Sequence, residues 1–272
     1  MKAVRFHNVG GPDVLRVEDV EIPTPAPEQV RLRVTASAFN AADNGMRAGF
    51  LPIPISLPHI PGYDVSGVVD ALGAGVDGLE VGQSVIGFLP MEADGGAAEY
   101  VVAPAAALVA APRSVPLADA AALPSVALTA WQALFDDGRL QAGQRLLIVG
   151  AGGAVGGHAI RLARRAGAHV IATASPRSVA AVAAAGPDVI IDHAARSLLD
   201  AVTEPVDVLL NLAPLDPEEF ASLVALVRDG GTVVICADIT VIRRQEAERR
   251  RAADELRAKV VELEDREAKL SL

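Results

Sequence analysis

An apolar run, Leu146-Leu147-Ile148-Val149, leads into Gly150-Ala151-Gly152-Gly153-Ala154-Val155-Gly156 and then into a segment with helical spacing. A glycine turn between strand and helix lets the backbone approach a pyrophosphate closely and aims the first amides of the helix at it. The glycines at 150, 153 and 156 read GxxGxxG rather than GxGxxG, so the signal draws its weight from the flanking alternation of strands and helices, and a glycine-rich turn without a ligand is the competing reading. The next strand ends Thr173-Ala174-Ser175-Pro176-Arg177. A free ribose 2′-hydroxyl calls for a carboxylate at that turn, whereas a 2′-phosphate calls for a hydroxyl and a guanidinium. Ser175 and Arg177 are the second kind, with Arg177 able to make a charge-assisted contact. The expected cofactor is therefore NADPH in preference to NADH, with Gly150, Gly153, Ala154, Val155 and Gly156 at the pyrophosphate. An Arg177 that only solvates the following helix is the alternative.

These residues need a scaffold, and the chain changes texture twice. Residues 1–125 carry short β-rich runs broken by Gly and Pro, such as Val30 to Val34, Val65 to Val69 and Ser84 to Phe88, which predict an all-β, barrel-like unit. Over 126–237 apolar strands alternate with helical segments: Arg145 to Val149, Ala154 to Arg165, His169 to Ala174, Ser178 to Ala185, Val189 to Asp192, Val206 to Leu210, Pro217 to Val227 and Thr232 to Ala237. Strands apolar on both faces and separated by helices predict an α/β fold with a doubly wound parallel sheet. From Val241 to Leu272 there is no Gly or Pro and charge is dense, so 238–272 predicts a long charged helix. Ile242, Leu256, Leu263 and Leu270 can share one heptad position, with Glu246, Ala253, Val260 and Glu267 at the other. A coiled-coil pair and a helix packed on its own chain both satisfy that stripe, so the oligomeric state stays open, a homodimer being one reading.

Composition narrows the partners. Net charge is −10, from 24 Lys and Arg against 34 Asp and Glu, which disfavours nucleic acid and anionic membrane surfaces. No window approaches the roughly 20 apolar residues of a membrane span, and Met1 to Arg16 does not read as a targeting segment. A single cysteine, Cys236, excludes an intrachain disulfide and suits a reducing compartment, so a cytoplasmic location is expected.

Several ordered motifs then point to one family. Asn40-Ala41-Ala42-Asp43 with Arg47 and Gly49, Pro61-Gly62-Tyr63-Asp64-Val65-Ser66-Gly67-Val68-Val69, Val81-Gly82-Gln83-Ser84-Val85, Gly95-Gly96-Ala97-Ala98-Glu99-Tyr100 and Leu128-Thr129-Ala130-Trp131 stand in this order. Over residues 1 to 237 the chain resembles the quinone oxidoreductase and enoyl reductase-like, zinc-independent branch of the medium-chain dehydrogenase/reductase superfamily. That resemblance implies a GroES-like β-domain beside a Rossmann domain, with a nicotinamide in the cleft between them. It also implies a small-molecule substrate, a quinone or an α,β-unsaturated carbonyl.

Zinc-dependent relatives carry metal ligands where this chain has Asn40 and Tyr63-Asp64, so no metal is expected. A lone His59 between Pro58 and Ile60 is more often a packed or solvated residue than a ligand. The resemblance places Asn40 and Thr129 at the nicotinamide end, with Asp43 and Tyr63 nearby and Asn211 approaching the cofactor. Tyr63 reads equally as a proton donor and as a structural ring, and Asp43 as an orienting partner before an acid.

The resemblance stops after Gly230-Gly231-Thr232-Val233-Val234. Family members continue with a sixth Rossmann strand and elements returning to the first domain, so the sheet is expected to be truncated at its C-terminal edge. The junction Asp238-Ile239-Thr240 instead resembles the end of a PAS sensor domain and its signalling helix. The expected function is therefore an NADPH-dependent oxidoreductase. The alternatives are a catalytically weak or inactive dinucleotide-binding module whose last helix carries an interaction or signal, and a purely structural oligomer.

Overall fold

The structure, a computed structural model, describes residues 1–236, so the charged helix expected over 238–272 lies outside the described residues. The chain opens with β1 (Lys2–Arg5) and β2 (Arg16–Asp19), an antiparallel pair. Then follow β3 (Gln29–Ala38), α1 (Ala41–Ala48), β4 (Asp64–Leu72), β5 (Ser84–Phe88), β6 (Tyr100–Pro104) and β7 (Leu108–Ala110). The last five strands form an antiparallel sheet in the order β6-β3-β4-β5-β7. Alternation sets its faces: Val30 and Leu32 of β3 point into a core with Val65, Val69, Val85 and Val101, while Arg31 reaches outward to Asp70 at 2.6 Å. Beyond the predicted Val30 to Val34, β3 continues to Ala38 across a register shift between Val34 and Ala36. Gly67 accommodates that shift, because a Cβ there would stand 2.6 Å from the Arg33 carbonyl oxygen.

Two helices, α2 (Leu117–Ala120) and α3 (Pro124–Trp131), lead into the second half, and α3 runs on as a π-helical turn over Gln132–Asp137. Pro124 suits the first turn of α3, where its missing N–H costs nothing. Next come β8 (Arg145–Val149), α4 (Ala154–Arg165), β9 (His169–Ala174), α5 (Val179–Ala185), β10 (Val189–Asp192), α6 (Leu198–Ala201), β11 (Val206–Asn211), α7 (Pro217–Val224) and β12 (Val227–Ile235). The five strands are parallel in the order β10-β9-β8-β11-β12.

The unbroken apolar run of β8 follows from this placement. Leu146 and Ile148 face one core with Ala159, Ile160 and Val170, while Leu147 and Val149 face another with Leu209 and Leu223. A strand buried on both sides has no polar alternation to show. Truncating any one of these leucines to alanine is worth about 2–5 kcal/mol. Strand order reverses direction between β8 and β11, and the carboxyl ends of these neighbours open the crevice where α/β sheets bind ligands.

Candidate functional site

At that crevice the glycine turn is fixed from two directions. Gly150 adopts φ +79°, and a Cβ on it would lie 3.0 Å from the Ala213 backbone in the loop after β11. Its N–H donates to Thr173 Oγ1 at 2.9 Å, tying the turn to the end of β9. Gly153 is the N-cap of α4 and supplies no side-chain cap, so among the described residues the first amides of this helix, at Ala154, Val155 and Gly156, have no N-cap side chain. A Cβ on Gly156 would come within 2.3 Å of the Ala151 carbonyl oxygen, and this close approach seats the helix against the turn.

Beside the turn lies a cavity of about 480 Å³ lined by Gly150, Gly153, Thr173, Ser175, Arg177 and His193, among others. Ser178 shapes it: its Oγ accepts the Ser175 N–H at 3.0 Å, and its N–H donates to the Ser175 carbonyl oxygen at 2.9 Å. Ser175 and Arg177 therefore share one wall, with Arg177 exposed. Sequence reasoning missed Thr173, Ser178 and His193. His193 joins this cavity to a second of about 510 Å³ that runs to Leu198, Pro214 and Leu215, and a single histidine in a loop carries no periodic cue.

A polar cluster sits where the two halves meet. Asn40 is the N-cap of α1, its Oδ1 accepting the Ala42 N–H at 3.0 Å, and its Nδ2 donates to Asp64 Oδ2 at 3.3 Å and to Ser125 Oγ at 3.1 Å. Thr129 is one helical turn beyond Ser125 on α3, so both belong to one face. Asp43 closes the capping box: it accepts the N–H of Asn40 at 2.8 Å and that of Gly62 at 2.9 Å. Burial pushes the Asp43 carboxyl above its ordinary range against the pull of those two donors.

Tyr63 resolves differently from one of its two readings. Its side chain is wholly buried beside Phe6 and Leu89, and its hydroxyl lies 2.7 Å from His59 Nε2. The wholly buried hydroxyl faces no open space, and that burial raises the Tyr63 pKa above the usual phenol range. Burial also lowers the His59 pKa, consistent with a packed imidazole at 1% exposure. Asn211 likewise departs from expectation. It ends β11 but turns into its own loop, donating from Nδ2 to the Ala213 carbonyl oxygen at 3.0 Å and accepting the Ala213 N–H at 3.1 Å. It shapes the segment that backs Gly150 instead of presenting a free amide.

A larger cavity of about 620 Å³ lies between β1, β3 and α1 and touches Asp43 and Gly62. Asn40, Ser125, Thr129 and the glycine turn all lie outside it, so it is a groove of the first sheet. Among the described residues no group of three or more His, Cys, Asp or Glu side chains is arranged to hold a metal ion, and no helix is long and apolar enough to cross a membrane.

Comparison with known proteins agrees with this architecture. The GroES-like domain of alcohol dehydrogenases matches residues 26–113, and the family described as zinc-binding dehydrogenase matches residues 154–255. The chloroplast envelope quinone oxidoreductase homolog of Arabidopsis thaliana is 35% identical over 71% of this chain, and the 2-methylene-furan-3-one reductase of Solanum lycopersicum is 32% identical over 86%. The chain spans 61% and 62% of the lengths of these two relatives. The solved quinone oxidoreductase of Coxiella burnetii superposes with a TM-score of 0.77 at 31% identity, covering 86% of this chain and 74% of that one. With an antiparallel GroES-like sheet, a parallel dinucleotide-type sheet and quinone oxidoreductases matching across both, the chain belongs to the quinone oxidoreductase-like branch of the medium-chain dehydrogenase/reductase superfamily.

Proposed function

We propose that this chain is an NADPH-dependent reductase that transfers hydride to a quinone or an α,β-unsaturated carbonyl without zinc. The observation that carries the reading is the cavity beside the glycine turn, where Ser175 and Arg177 share a wall that includes no carboxylate. The cradle itself fits a dinucleotide. A Cβ on Gly153 would make no contact tighter than an ordinary one, 3.7 Å from the Gly150 carbonyl oxygen, so the turn is not crowded where α4 begins. Gly150, Gly153, Ala154, Val155 and Gly156 would hold the pyrophosphate through backbone N–H groups and the helix dipole. Ser175 and Arg177 would take the 2′-phosphate, and Thr129 and Asn40 would border the nicotinamide. A reduced nicotinamide supplies the hydride.

What the chain's own residues do is bind and orient. Asp43 fixes the start of α1 and hence the backbone of Asn40, and Tyr63 packs beneath this segment as a structural ring. Of Asn40, Tyr63 and Asp64, which stand where zinc-dependent relatives carry ligands, Asn40 is hydrogen-bonded to Asp64 and Tyr63 to His59, and the three offer neither thiolate nor imidazole. That set supports a reaction in which positioning and hydrogen bonding to the acceptor oxygen replace Lewis-acid help.

The test takes one purified sample through NADPH and NADH titrations, NADPH oxidation against a panel of quinones and enones, and elemental analysis. The expected result is tighter NADPH binding, turnover with at least one acceptor class and no stoichiometric zinc. Binding without turnover would favour the dinucleotide-binding module. One tightly held zinc per chain would overturn the metal-free reading.

A further inference from the structure

We propose that Ser125 and Asp64 are positioning residues that lock the amide of Asn40 at the junction of the two halves, holding it in register with Thr129. This rests on the reductase reading for its effect on turnover, while the lock itself stands on the hydrogen bonds alone. Asp64, the first residue of β4, is 3% exposed and makes no ion pair among the described residues. Its carboxylate is satisfied instead by three donors: the Ser125 N–H at 2.7 Å, the Ser125 hydroxyl at 2.7 Å and Asn40 Nδ2 at 3.3 Å.

The Ser125 backbone bond explains how α3 begins. Leu123, at the N-cap, has helical dihedrals and offers no side-chain cap, so an orphan N–H of the first turn is taken by a carboxylate 61 residues away in sequence. A negative group there also suits the positive end of the helix dipole.

The Ser125 hydroxyl has its proton on Asp64, so its oxygen is free to accept from Asn40, which it does at 3.1 Å. Asn40 is then fully specified. Both Nδ2 hydrogens are used, one on Asp64 and one on Ser125, and Oδ1 is used by Ala42. Three elements, α1, β4 and α3, thus meet in one closed triangle of side chains. Thr129 rides on the same helix face one turn away, so the triangle sets the distance between the two residues that would border the nicotinamide. Removing the Ser125 hydroxyl opens two sides of the triangle and leaves the α3 backbone bond in place.

The experiment uses the full chain labelled with 15N-asparagine, which carries only four asparagines. The Asn40 side-chain amide signal is identified by its loss in Asn40→Ala. In the wild type its hydrogens should exchange slowly; in Ser125→Ala they should exchange at least about tenfold faster, and Ser125→Thr, which keeps the hydroxyl, should restore the slow signal. In parallel, Ser125→Ala should lower kcat by about tenfold to a hundredfold with the Kd for NADPH within about twofold, and Ser125→Thr should recover most of the loss.

An Asn40 amide that does not change in Ser125→Ala overturns the lock. A freed amide with unchanged kcat and KM overturns its role in the reaction. A wild-type chain that fails to oxidise NADPH with every quinone and enone of the panel refutes the reductase reading, and the exchange measurement still decides the lock.

Discussion

Replacing Asp43 with alanine probes the capping box most directly. The carboxylate accepts the backbone N–H groups of Asn40 and Gly62 at 2.8 and 2.9 Å and is 8% exposed, so its removal strands two poorly solvated donors. Each stranded donor costs about 1–3 kcal/mol. Relief from burying a carboxyl group offsets part of that, leaving a net loss of about 2–4 kcal/mol, or roughly 4–16 °C in Tm for a chain of this size.

The pH dependence has a definite sign. Burial is the largest influence on this carboxyl and raises its pKa above the ordinary 3.8. Folding therefore takes up a proton between 3.8 and the raised value. That contribution is fully present below 3.8 and is lost as pH rises through the folded value. The variant lacks it, so the stability gap between wild type and Asp43→Ala should widen as pH falls. Thermal unfolding by circular dichroism at several pH values between 4 and 8 measures both quantities. A Tm within about 2 °C of wild type at neutral pH, or a gap that narrows in acid, would refute the reasoning.

Three further outcomes are expected. Arg177→Ala should weaken NADPH binding by roughly tenfold to a hundredfold while leaving NADH nearly unchanged, read by fluorescence titration; equal loss for both cofactors would remove Arg177 from the 2′-phosphate. Gly153→Val should raise the Kd for NADPH at least about tenfold with little change in Tm, because its extended backbone and ordinary 3.7 Å contact tolerate a side chain while the added bulk stands at the start of α4. Tyr63→Phe should destabilise by about 1–3 kcal/mol, since His59 Nε2 loses its partner, yet keep kcat within about twofold; a collapse of kcat in a folded variant would restore Tyr63 as a proton donor.

The second half of the chain was readable because its strands are buried on both faces. Arg145 to Val149, Ala154 to Arg165 and His169 to Ala174 appear at their predicted limits. β3 outran its prediction, since the residues from Thr35 to Ala38 are small and none of them is fully buried, so they carry no strong apolar signal. β12 starts at Val227, five residues before the predicted Thr232, across Gly230 and Gly231, which argue against a strand interior when read locally. Gly150, Gly153, Ser175 and Arg177 are close in sequence, and the structure lines one cavity with them. Ser125 was not legible, because its partners Asn40 and Asp64 lie 85 and 61 residues away and a lone serine opening a helix looks like any other. Asn211 was placed correctly at the strand end, but the direction of its amide depends on the following two residues, a detail below what a motif records.

The pairing of β1 has a consequence for the order in which the molecule is made. The Lys2 N–H donates to the Glu99 carboxylate at 2.7 Å, Val4 N–H to the Ala97 carbonyl oxygen at 2.8 Å, and Glu99 N–H to the Lys2 carbonyl oxygen at 3.0 Å. At ~5–20 residues per second, a ribosome that has released β1 needs about 5–20 s more before residues 97–99 exist to meet it. Until then β1 has only β2 as a partner, and a two-stranded ribbon is marginal in water. The β8-α4-β9 unit, by contrast, lies within thirty consecutive residues, from Arg145 to Ala174. The antiparallel half is therefore the one whose closure waits on distant residues, while the β8-α4-β9 unit can close on residues made within a few seconds of each other.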